Sequence, residues 1–110
     1  MIVVRTDGPE TWLVMEKDGI EIGRACAELI RPDQRDWLFK GSFILPDYRR
    51  QGVYRELWDA RLSFVMAQNP RSIEGWSGTG NRSLFIADGF IAVNRNWKHY
   101  EDELFMRKIL

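Results

Sequence analysis

The chain has 110 residues, of which 45% are hydrophobic and 13% aromatic, and its 16 basic and 16 acidic side chains give a formal net charge of zero. This length and apolar content predict one globular domain over residues 1–110 and exclude a disordered chain. A neutral chain lacks the basic excess of proteins that bind nucleic acids through general charge attraction, although a small local basic patch is compatible with it.

The cysteine count and the N-terminus indicate the compartment. Cys26 is the only cysteine, so no intramolecular disulfide can form and a reducing compartment is expected. The apolar start is too short for a signal peptide, and no apolar run approaches membrane-spanning length. The sequence therefore predicts a cytoplasmic protein without a membrane segment. It contains no His, Cys or carboxylate cluster at metal-ligand spacing, so no metal is expected.

The first half of the chain has the pattern of strands. Residues 11–17, 20–30 and 37–45 predict three antiparallel strands, and Asp18-Gly19 is a strong hairpin signal between the first two. Gly23 is a candidate bulge in the second strand. Residues 2–4 offer an extra strand in front of these three.

Alternation assigns one face of the third strand to the core. The residues expected on that face, interrupted only by Gly41, are Trp37, Phe39, Phe43 and Leu45.

The hydrophobic period changes at Tyr54. Apolar residues then recur at spacings of three and four, which predicts an amphipathic helix that ends at Asn69-Pro70. The stripe consists of Leu57, Trp58, Leu62, Val65 and Met66. Arg61 is its only polar member.

The second half completes a mixed α/β domain. Residues 72–77 predict a strand, and a short helix follows over residues 82–88, with Asn81 as its N-cap and Gly89 as its C-terminal stop. Residues 90–97 and 103–110 predict two closing strands. The predicted order is β-β-β-α-β-α-β-β.

The segment PDYRRQGVYREL joins the third strand to the central helix. A strand that turns at Pro46 into a helix near Gly52 aims unpaired backbone N–H groups outward, and these form an anion site with the positive end of the helix dipole. Arg49 and Arg50 add charge, and Gly52 permits close backbone approach. An ordinary basic turn that caps a core helix is an equally good interpretation of these residues alone. No GxxxxGK is present, which argues against an ATP or GTP site.

The stretch SFILPDYRRQGVYRELWDARL resembles the acyl-CoA-binding motif of the GCN5-related N-acetyltransferase (GNAT) superfamily. That motif reads (Arg/Gln)-x-x-Gly-x-(Gly/Ala), and Arg49, Gly52 and Tyr54 occupy its first, fourth and sixth positions. Asn81, the short helix and the pair Gly89-Phe90 are similar to the second cofactor-side motif of the family. The order of elements fits the same fold over roughly 100 residues, from its second strand to its last.

The resemblance implies a mostly antiparallel twisted sheet with a V-shaped opening between the strand that ends at Leu45 and the strand over residues 72–77. Acetyl-CoA would lie in this opening, with its pantetheine arm against the backbone and its pyrophosphate on the amides that follow Arg49. The cofactor contacts implied are Ile44, Leu45, Arg49, Arg50, Gln51, Gly52, Val53, Tyr54, Asn81 and Phe85.

The implied activity is N-acyl transfer, in which an amine attacks the thioester directly, with no metal and no cysteine nucleophile. Glu28 and Glu74, on predicted strands near the centre of the fold, are candidates for the general base. For each of them, a solvated or salt-bridged strand carboxylate is the more ordinary interpretation.

Two residues depart from the family motif. Tyr54 stands where glycine or alanine is usual. Because it is the first member of the helix stripe, its ring is expected to turn toward the sheet. The alternative, a ring over the pyrophosphate position, would abolish cofactor binding. Phe85 stands where many family members carry the tyrosine that protonates the leaving thiolate. Another group, with Tyr100 as a candidate, or solvent would then supply the proton, or catalysis is weak or absent.

The third departure is a deletion. The two helices that normally follow the first strand have no counterpart, since only residues 6–10 could occupy their place. The acceptor site should therefore be open and suit a large acceptor amine, on a protein or a nucleic acid, unless a second subunit in a homodimer supplies the missing wall. The alternative function is an inactive GNAT-fold module that binds coenzyme A or another protein.

Overall fold

The computed structural model describes residues 1–78, 80–93 and 103–110, and these form one seven-stranded sheet with two α-helices. The elements are β1 (Ile2–Asp7), β2 (Glu10–Lys17), β3 (Ile20–Arg31), β4 (Asp36–Ile44), α1 (Val53–Met66), β5 (Ser72–Ser77), α2 (Arg82–Ala87), β6 (Ile91–Val93) and β7 (Leu104–Ile109). The strand order is β1-β2-β3-β4-β5-β7-β6, and only the β4–β5 pair is parallel. The predicted fold class is confirmed, with the optional N-terminal strand present as β1.

The turn between β2 and β3 follows its sequence signal. Asp18 and Gly19 have φ values of 53° and 79°, and two consecutive positive φ values are what a two-residue hairpin of this twist requires. The β2–β3 register shifts beside Gly23, so the irregularity predicted there is close to its expected place. Gly23 also allows α1 to approach, because a Cβ there would lie 3.1 Å from a Leu57 methyl group.

The predicted face of β4 is correct only in its first half. Trp37 and Phe39 are buried, but Phe43 is 50% exposed and Ile44 is buried in its place. Gly41, at φ +66°, lies in a β-bulge. Lys40 and Phe43 are three residues apart in β4, but their partners in β3 are only two residues apart. One extra residue in a strand reverses the alternation that follows, so the assignment of Phe43 to the core was wrong.

Helix α1 covers one face of the sheet and unites two hydrophobic clusters. Its buried residues are Leu57, Trp58, Arg61 and Val65. Trp58 packs with Phe39 and Phe85, and Leu57 packs with the side chains of β2 and β3. The predicted stripe is confirmed at these positions, including the polar Arg61, whereas Met66 is 43% exposed.

The segment between β1 and β2 is a hairpin. Within residues 1–17, all of which the structure describes, Asp7 pairs with Glu10 and no helix intervenes. Both described helices pack on the same face of the sheet, through Trp58 and Phe85. The opposite face, here called the open face, is covered by none of the described helices.

The end of the chain is described in part. Strand β6 covers residues 91–93 and β7 covers residues 104–109, within the two predicted closing strands. Residues 94–97 of the first predicted strand and Tyr100 lie outside the described residues.

Candidate active site

A cleft opens where β4 and β5 separate. The two strands pair in parallel from Asp36 with Ser72 to Phe39 with Gly75, and no pairing continues beyond that point. Strand β4 runs on to Ile44 alongside β3, while β5 pairs with β7. The V-shaped opening expected between these strands is therefore present, and α1 begins at its outer end.

The outer part of the cleft is a concave surface at the start of α1. This outer compartment has a volume of about 370 Å³. It is lined by residues 42–44, 48–50, 52, 54 and 55.

The start of α1 leaves several amides without a helix partner. Gly52 is the N-cap at φ +84°, no side chain caps the helix, and the first backbone bond of the helix runs from Glu56 N to Gly52 O at 3.0 Å. The N–H groups of residues 53–55 therefore have no acceptor within the helix and carry the positive end of its dipole. A ligand at the start of α1 therefore meets several N–H donors and no carboxylate.

The basic side chains of this loop have different tasks. Arg49 donates from Nε to the Ile44 carbonyl at 2.9 Å, and its guanidinium lies 5.6 Å from the centre of the Phe43 ring. Arg50 is exposed, has a φ of +62° and makes no hydrogen bond or ion pair with any described residue. Arg50 is thus the cation of this surface that a ligand can recruit.

The structure places five predicted cofactor contacts in the outer compartment: Ile44, Arg49, Arg50, Gly52 and Tyr54. Three others lie elsewhere. The N–H of Leu45 donates to Ile22 O at 2.9 Å, so it is not available to a ligand. Gln51 donates to the Asp47 carbonyl at 2.8 Å, and the side chain of Val53 packs against the core.

The inner part of the cleft lies deeper between the two strands. This inner compartment has a volume of about 260 Å³. It is lined by residues 39–42, 54, 61, 76, 78, 81, 85 and 103. Ser42 and Tyr54 belong to both compartments, so the two meet at these side chains.

Arg61 places a buried cation in the wall of the inner compartment. The residue is 1% exposed, and its Nη1 donates to Cys26 O, Lys40 O and Ser42 Oγ at 3.2, 3.4 and 3.1 Å. Its guanidinium lies 4.1 Å from the centre of the Phe39 ring. Nε has no hydrogen-bond partner among the described residues. Burial lowers the pKa of the Arg61 guanidinium, and the neighbouring Tyr54 side chain works against this shift.

Tyr54 spans the two compartments as its position in the helix stripe predicts. Its ring turns toward the sheet and packs against both hydrophobic clusters. Its hydroxyl reaches Asn81, whose Nδ2 lies 3.2 Å away. Asn81 begins α2 without a side-chain cap bond, and its Oδ1 accepts from Gly78 N at 2.9 Å.

Phe85 is a core residue that also borders the inner compartment. It is 2% exposed and makes edge contacts with Trp58 and Phe90 at centroid distances of 4.7 and 5.0 Å. A Cβ at Gly75 would lie 2.9 Å from its ring, so α2 approaches β5 closely. Phe85 brings no polar atom to the cleft.

Both predicted general bases are held in ion pairs on the open face. Glu74 is buried, with Oε1 2.5 Å from Arg31 Nη2 and 3.5 Å from Arg107 Nε. Glu28 shares Lys40 Nζ with Glu10, each at 2.5 Å. Neither glutamate lines the two compartments.

Several lining residues were not predicted as site residues, among them Ser42, Arg61 and Glu103. Arg61 carried a signal, since a lone basic residue on an apolar helix stripe needs acceptors inside the fold. Glu103 belongs to an acidic triplet that is typical of a solvated turn, so no local pattern distinguishes it from its neighbours. Glu103 is the carboxylate that lines the inner compartment.

The described residues contain neither a metal-binding cluster nor a membrane-spanning helix. No group of three or more His, Cys, Asp or Glu side chains there could hold a metal ion. Neither α1 nor α2 is long and apolar enough to cross a membrane, and the described chain has no other α-helix.

Sequence comparison and structure comparison give different results for this chain. No protein-family profile matches the sequence, and no curated protein matches it significantly.

Solved structures match the fold over almost the whole chain. A protein described as an acetyltransferase of the GNAT family from Desulfovibrio desulfuricans superposes with a TM-score of 0.76 at 14% identity, over 93% of this chain and 69% of that one. Mutant forms of the spermidine/spermine N-acetyltransferase SpeG from Vibrio cholerae give 0.73 at 19% identity, over 94% and 68%. The PaiA N-acetyltransferase of Thermoplasma acidophilum, in complex with coenzyme A, gives 0.72 at 12%, over 93% and 62%. The chain has the GNAT fold.

Proposed function

We propose that this protein is an acyl-CoA-dependent N-acyltransferase that uses acetyl-CoA and transfers the acyl group to an amine. The observation that carries the proposal is the uncapped start of α1, with Gly52 and the unpaired Arg50, at the outer end of the cleft between β4 and β5. The likeness to GNAT structures, one of them in complex with coenzyme A, supports an acyl-CoA as the donor.

The outer compartment would bind the pyrophosphate of the cofactor. The helix dipole alone contributes about 0.3–1 kcal/mol to anion binding. Each hydrogen bond from the amides of residues 53–55 to a charged phosphate oxygen adds about 1.5–3 kcal/mol. Arg50 supplies the countercharge, and the absence of a Cβ at Gly52 leaves room for the phosphates to approach the backbone.

The inner compartment would hold the thioester and the acceptor amine. The amine nitrogen attacks the thioester carbonyl, a C–N bond forms, and the C–S bond breaks as the thiolate leaves. The Arg61 guanidinium, in the wall of the inner compartment, places positive charge near the carbonyl oxygen, on which negative charge develops. Glu103 is our candidate for the group that accepts the proton of the amine, in place of Glu28 and Glu74.

The acceptor is proposed to be large or exposed. The two helices that wall the acceptor site in the family were expected to be missing here, and a β1–β2 hairpin lies in their place, so the described chain leaves this side open. A protein amine, a small polyamine of the kind named for the Vibrio cholerae enzyme, and a nucleic-acid amine all fit an open site. The cytoplasmic location and the possibility of a homodimer stay predictions.

A second function is favoured by one observation, the phenylalanine at position 85. Because Phe85 has no proton to give, the same cleft can belong to a module that binds coenzyme A without turning it over. A thiol-release assay with acetyl-CoA and panels of peptides, polyamines and nucleotides distinguishes the two. Release of thiol that depends on an amine indicates the enzyme, and cofactor binding without release indicates the module.

The cofactor titration is the decisive experiment, with Gly52 as its probe. We expect calorimetry to show saturable binding of acetyl-CoA and of free coenzyme A. Gly52→Asp should abolish binding, because it places a carboxylate where the phosphates lie. Gly52→Asn is the matched control, because the asparagine side chain has the same shape as aspartate without its charge. Asparagine tolerates positive φ better than most residues, and no atom lies within 4 Å of a Cβ at position 52.

We expect Gly52→Asn to keep measurable affinity, so that the difference between the two variants reports charge and not strain. No heat with the unmodified protein at millimolar cofactor would overturn both functions. Equal affinities of the aspartate and asparagine variants would show that the phosphates do not lie at the start of α1.

A further inference from the structure

Tyr54 brings a phenol hydroxyl into the cleft at the boundary of its two compartments. The side chain lines both of them, although its ring is packed against the core on either side. The hydroxyl is held from the α2 side by Asn81. A polar group in this position faces any ligand that reaches from the outer into the inner compartment.

The direction of the hydrogen bonds around Tyr54 follows from its neighbours. The backbone N–H of Gly78 can only donate, so Oδ1 is the acceptor atom of Asn81 and Nδ2 is its donor. Nδ2 therefore donates to the Tyr54 oxygen at 3.2 Å. The other polar neighbour, the Arg61 guanidinium, has no acceptor atom.

The proton of Tyr54 is consequently available. The Tyr54 oxygen accepts a hydrogen bond from the Asn81 amide. The Arg61 guanidinium beside it is a donor as well and cannot accept. No described residue therefore accepts the phenolic proton. An O–H group that finds no acceptor in the protein donates to what lies in the cleft. After the proton has left, the amide and the guanidinium stabilise the negative oxygen through charge-assisted hydrogen bonds.

We propose that Tyr54 is the acid that protonates the departing thiolate, an assignment that rests on the proposed acyl transfer. As the amine nitrogen forms its bond to the carbonyl carbon, the electron pair of the C–S bond goes to sulfur. Sulfur takes the proton from Tyr54 Oη and leaves as the thiol. The proton that the amine gives up returns the tyrosine to its neutral form, directly or through water, so no other reactant is needed.

The assignment accounts for the missing donor at position 85. Phe85 and Tyr54 both line the inner compartment, from α2 and α1 respectively, so the hydroxyl enters the same space from the other helix. Tyr48, the other tyrosine within the described residues, lines only the outer compartment. A catalytic role for its hydroxyl thereby explains why a tyrosine occupies position 54, which usually holds glycine or alanine.

The test separates catalysis from binding. Acetyl-CoA and hydroxylamine are used as substrates, because this small amine needs no acceptor recognition and is uncharged at neutral pH. Thiol release is followed against pH, and the affinity for coenzyme A is measured by calorimetry. For Tyr54→Phe we expect kcat to fall by about 10²–10⁴-fold with an unchanged coenzyme A affinity, because general acid catalysis contributes a factor of this size.

The pH profile is the readout that a structural role would not move. The rate of the unmodified enzyme should fall at alkaline pH, because a general acid acts only while it is protonated, and this fall should vanish in Tyr54→Phe. Asn81→Ala is the matched variant: it removes the orienting amide and keeps the phenol, so we expect a smaller loss of kcat and a preserved alkaline fall.

Several results would overturn the assignment. A kcat of Tyr54→Phe close to that of the unmodified enzyme, or an alkaline fall that persists in it, would exclude Tyr54 as the acid. A tighter affinity of this variant for coenzyme A would show that Tyr54 obstructs the cleft instead. If the unmodified protein binds coenzyme A but releases no thiol with hydroxylamine, the acid assignment fails while cofactor binding stands. If it shows no heat with coenzyme A, the proposed function fails and the acid assignment fails with it.

Discussion

Arg61 shows how one side chain reconciles a buried charge with an apolar core. Removing a cation from water costs several kcal/mol unless hydrogen bonds and nearby polar groups compensate. Here two carbonyls beside the β4 bulge and the Ser42 hydroxyl accept from Nη1, and the Phe39 ring presents its face to the guanidinium. The same arrangement leaves Nε buried and without a hydrogen-bond partner among the described residues. A single residue thus supports the bulge and brings positive charge to the wall of the inner compartment.

Cys26 gives a prediction at this scale. It is fully buried, and burial, helped by the Glu10 charge, raises the pKa of its thiol to about 11. A thiol reagent at pH 8 should therefore label no cysteine in the folded protein and one per chain in guanidinium, since the thiolate is the reactive form. Rapid labelling of the folded protein would contradict this burial. As a control, Cys26→Ala should leave the measured rate of coenzyme A release unchanged.

At the scale of elements, a glycine in β5 decides how closely α2 can pack. The Phe85 ring lies against Gly75, where a Cβ would be 2.9 Å from two ring carbons and 3.4 Å from the Cβ of Phe39. Contacts of 2.9 Å between carbon atoms force either the helix or the strand to move. This packing sets the position of Asn81 at the start of α2, and so the orientation of the Tyr54 hydroxyl.

Gly75→Ala should consequently loosen α2 and the inner compartment together. We expect the free energy of unfolding to fall by about 1–3 kcal/mol, the usual cost of overpacking a core, in urea titrations. Gly80→Ala is the matched control, because nothing lies within 4 Å of its Cβ and surface substitutions usually change stability by less than about 0.5 kcal/mol. Equal stabilities of the two variants would show that the Phe85–Gly75 contact is not tight.

At the scale of the whole molecule, Asp36 joins three strands at the end of the sheet opposite the cleft. Its buried carboxylate accepts from Arg31 at the end of β3, from Arg71 before β5 and from the Ser72 hydroxyl. The Arg71 hydrogen bond, followed by those from Arg31 and Ser72, holds the pKa of Asp36 far below its usual range in spite of burial, which raises it. The parallel β4–β5 pair begins at this cluster, so it anchors the closed end of the splay.

This cluster predicts how stability depends on pH. Because the pKa of Asp36 is lower in the folded state than in the unfolded state, its ionised carboxylate stabilises the fold. This contribution is complete above the pKa of the unfolded state, about 3.9, and is lost as the pH falls toward the pKa of the folded state. Asp36→Asn should lower the free energy of unfolding at pH 7 by about 1–3 kcal/mol, because the hydrogen bonds to charge are lost while water solvates the half-exposed arginines.

The difference between Asp36→Asn and the unmodified protein should shrink below about pH 4, as urea titrations at pH 7, 5, 3 and 2 can measure. Asp59→Asn is the control, since Asp59 forms only an exposed pair with Arg55 on α1 and should change stability by less than about 0.5 kcal/mol. A destabilisation of Asp36→Asn that stays constant down to pH 2 would contradict the ionised state of Asp36.

The order of elements and the fold class could be predicted from local patterns in the chain. The hairpin at Asp18-Gly19, the helix stripe after Tyr54 and the strand over residues 72–77 could be predicted because turn chemistry and hydrophobic period are local properties. The phosphate-binding interpretation of the loop around Gly52 also depends on local features, a strand, a turn and a helix start that follow one another along the chain, and it stays a prediction.

The side chains that meet in the cleft could not be predicted, because they come together through long-range packing. Phe43 turns outward because of one extra residue in β4, and Glu28 and Glu74 are occupied by cations from neighbouring strands. Tyr54 and Asn81 form their hydrogen bond across 27 positions of sequence. Such contacts depend on strand register and helix packing, which no local pattern encodes, and they are the basis on which we propose Tyr54 as the proton donor in place of position 85.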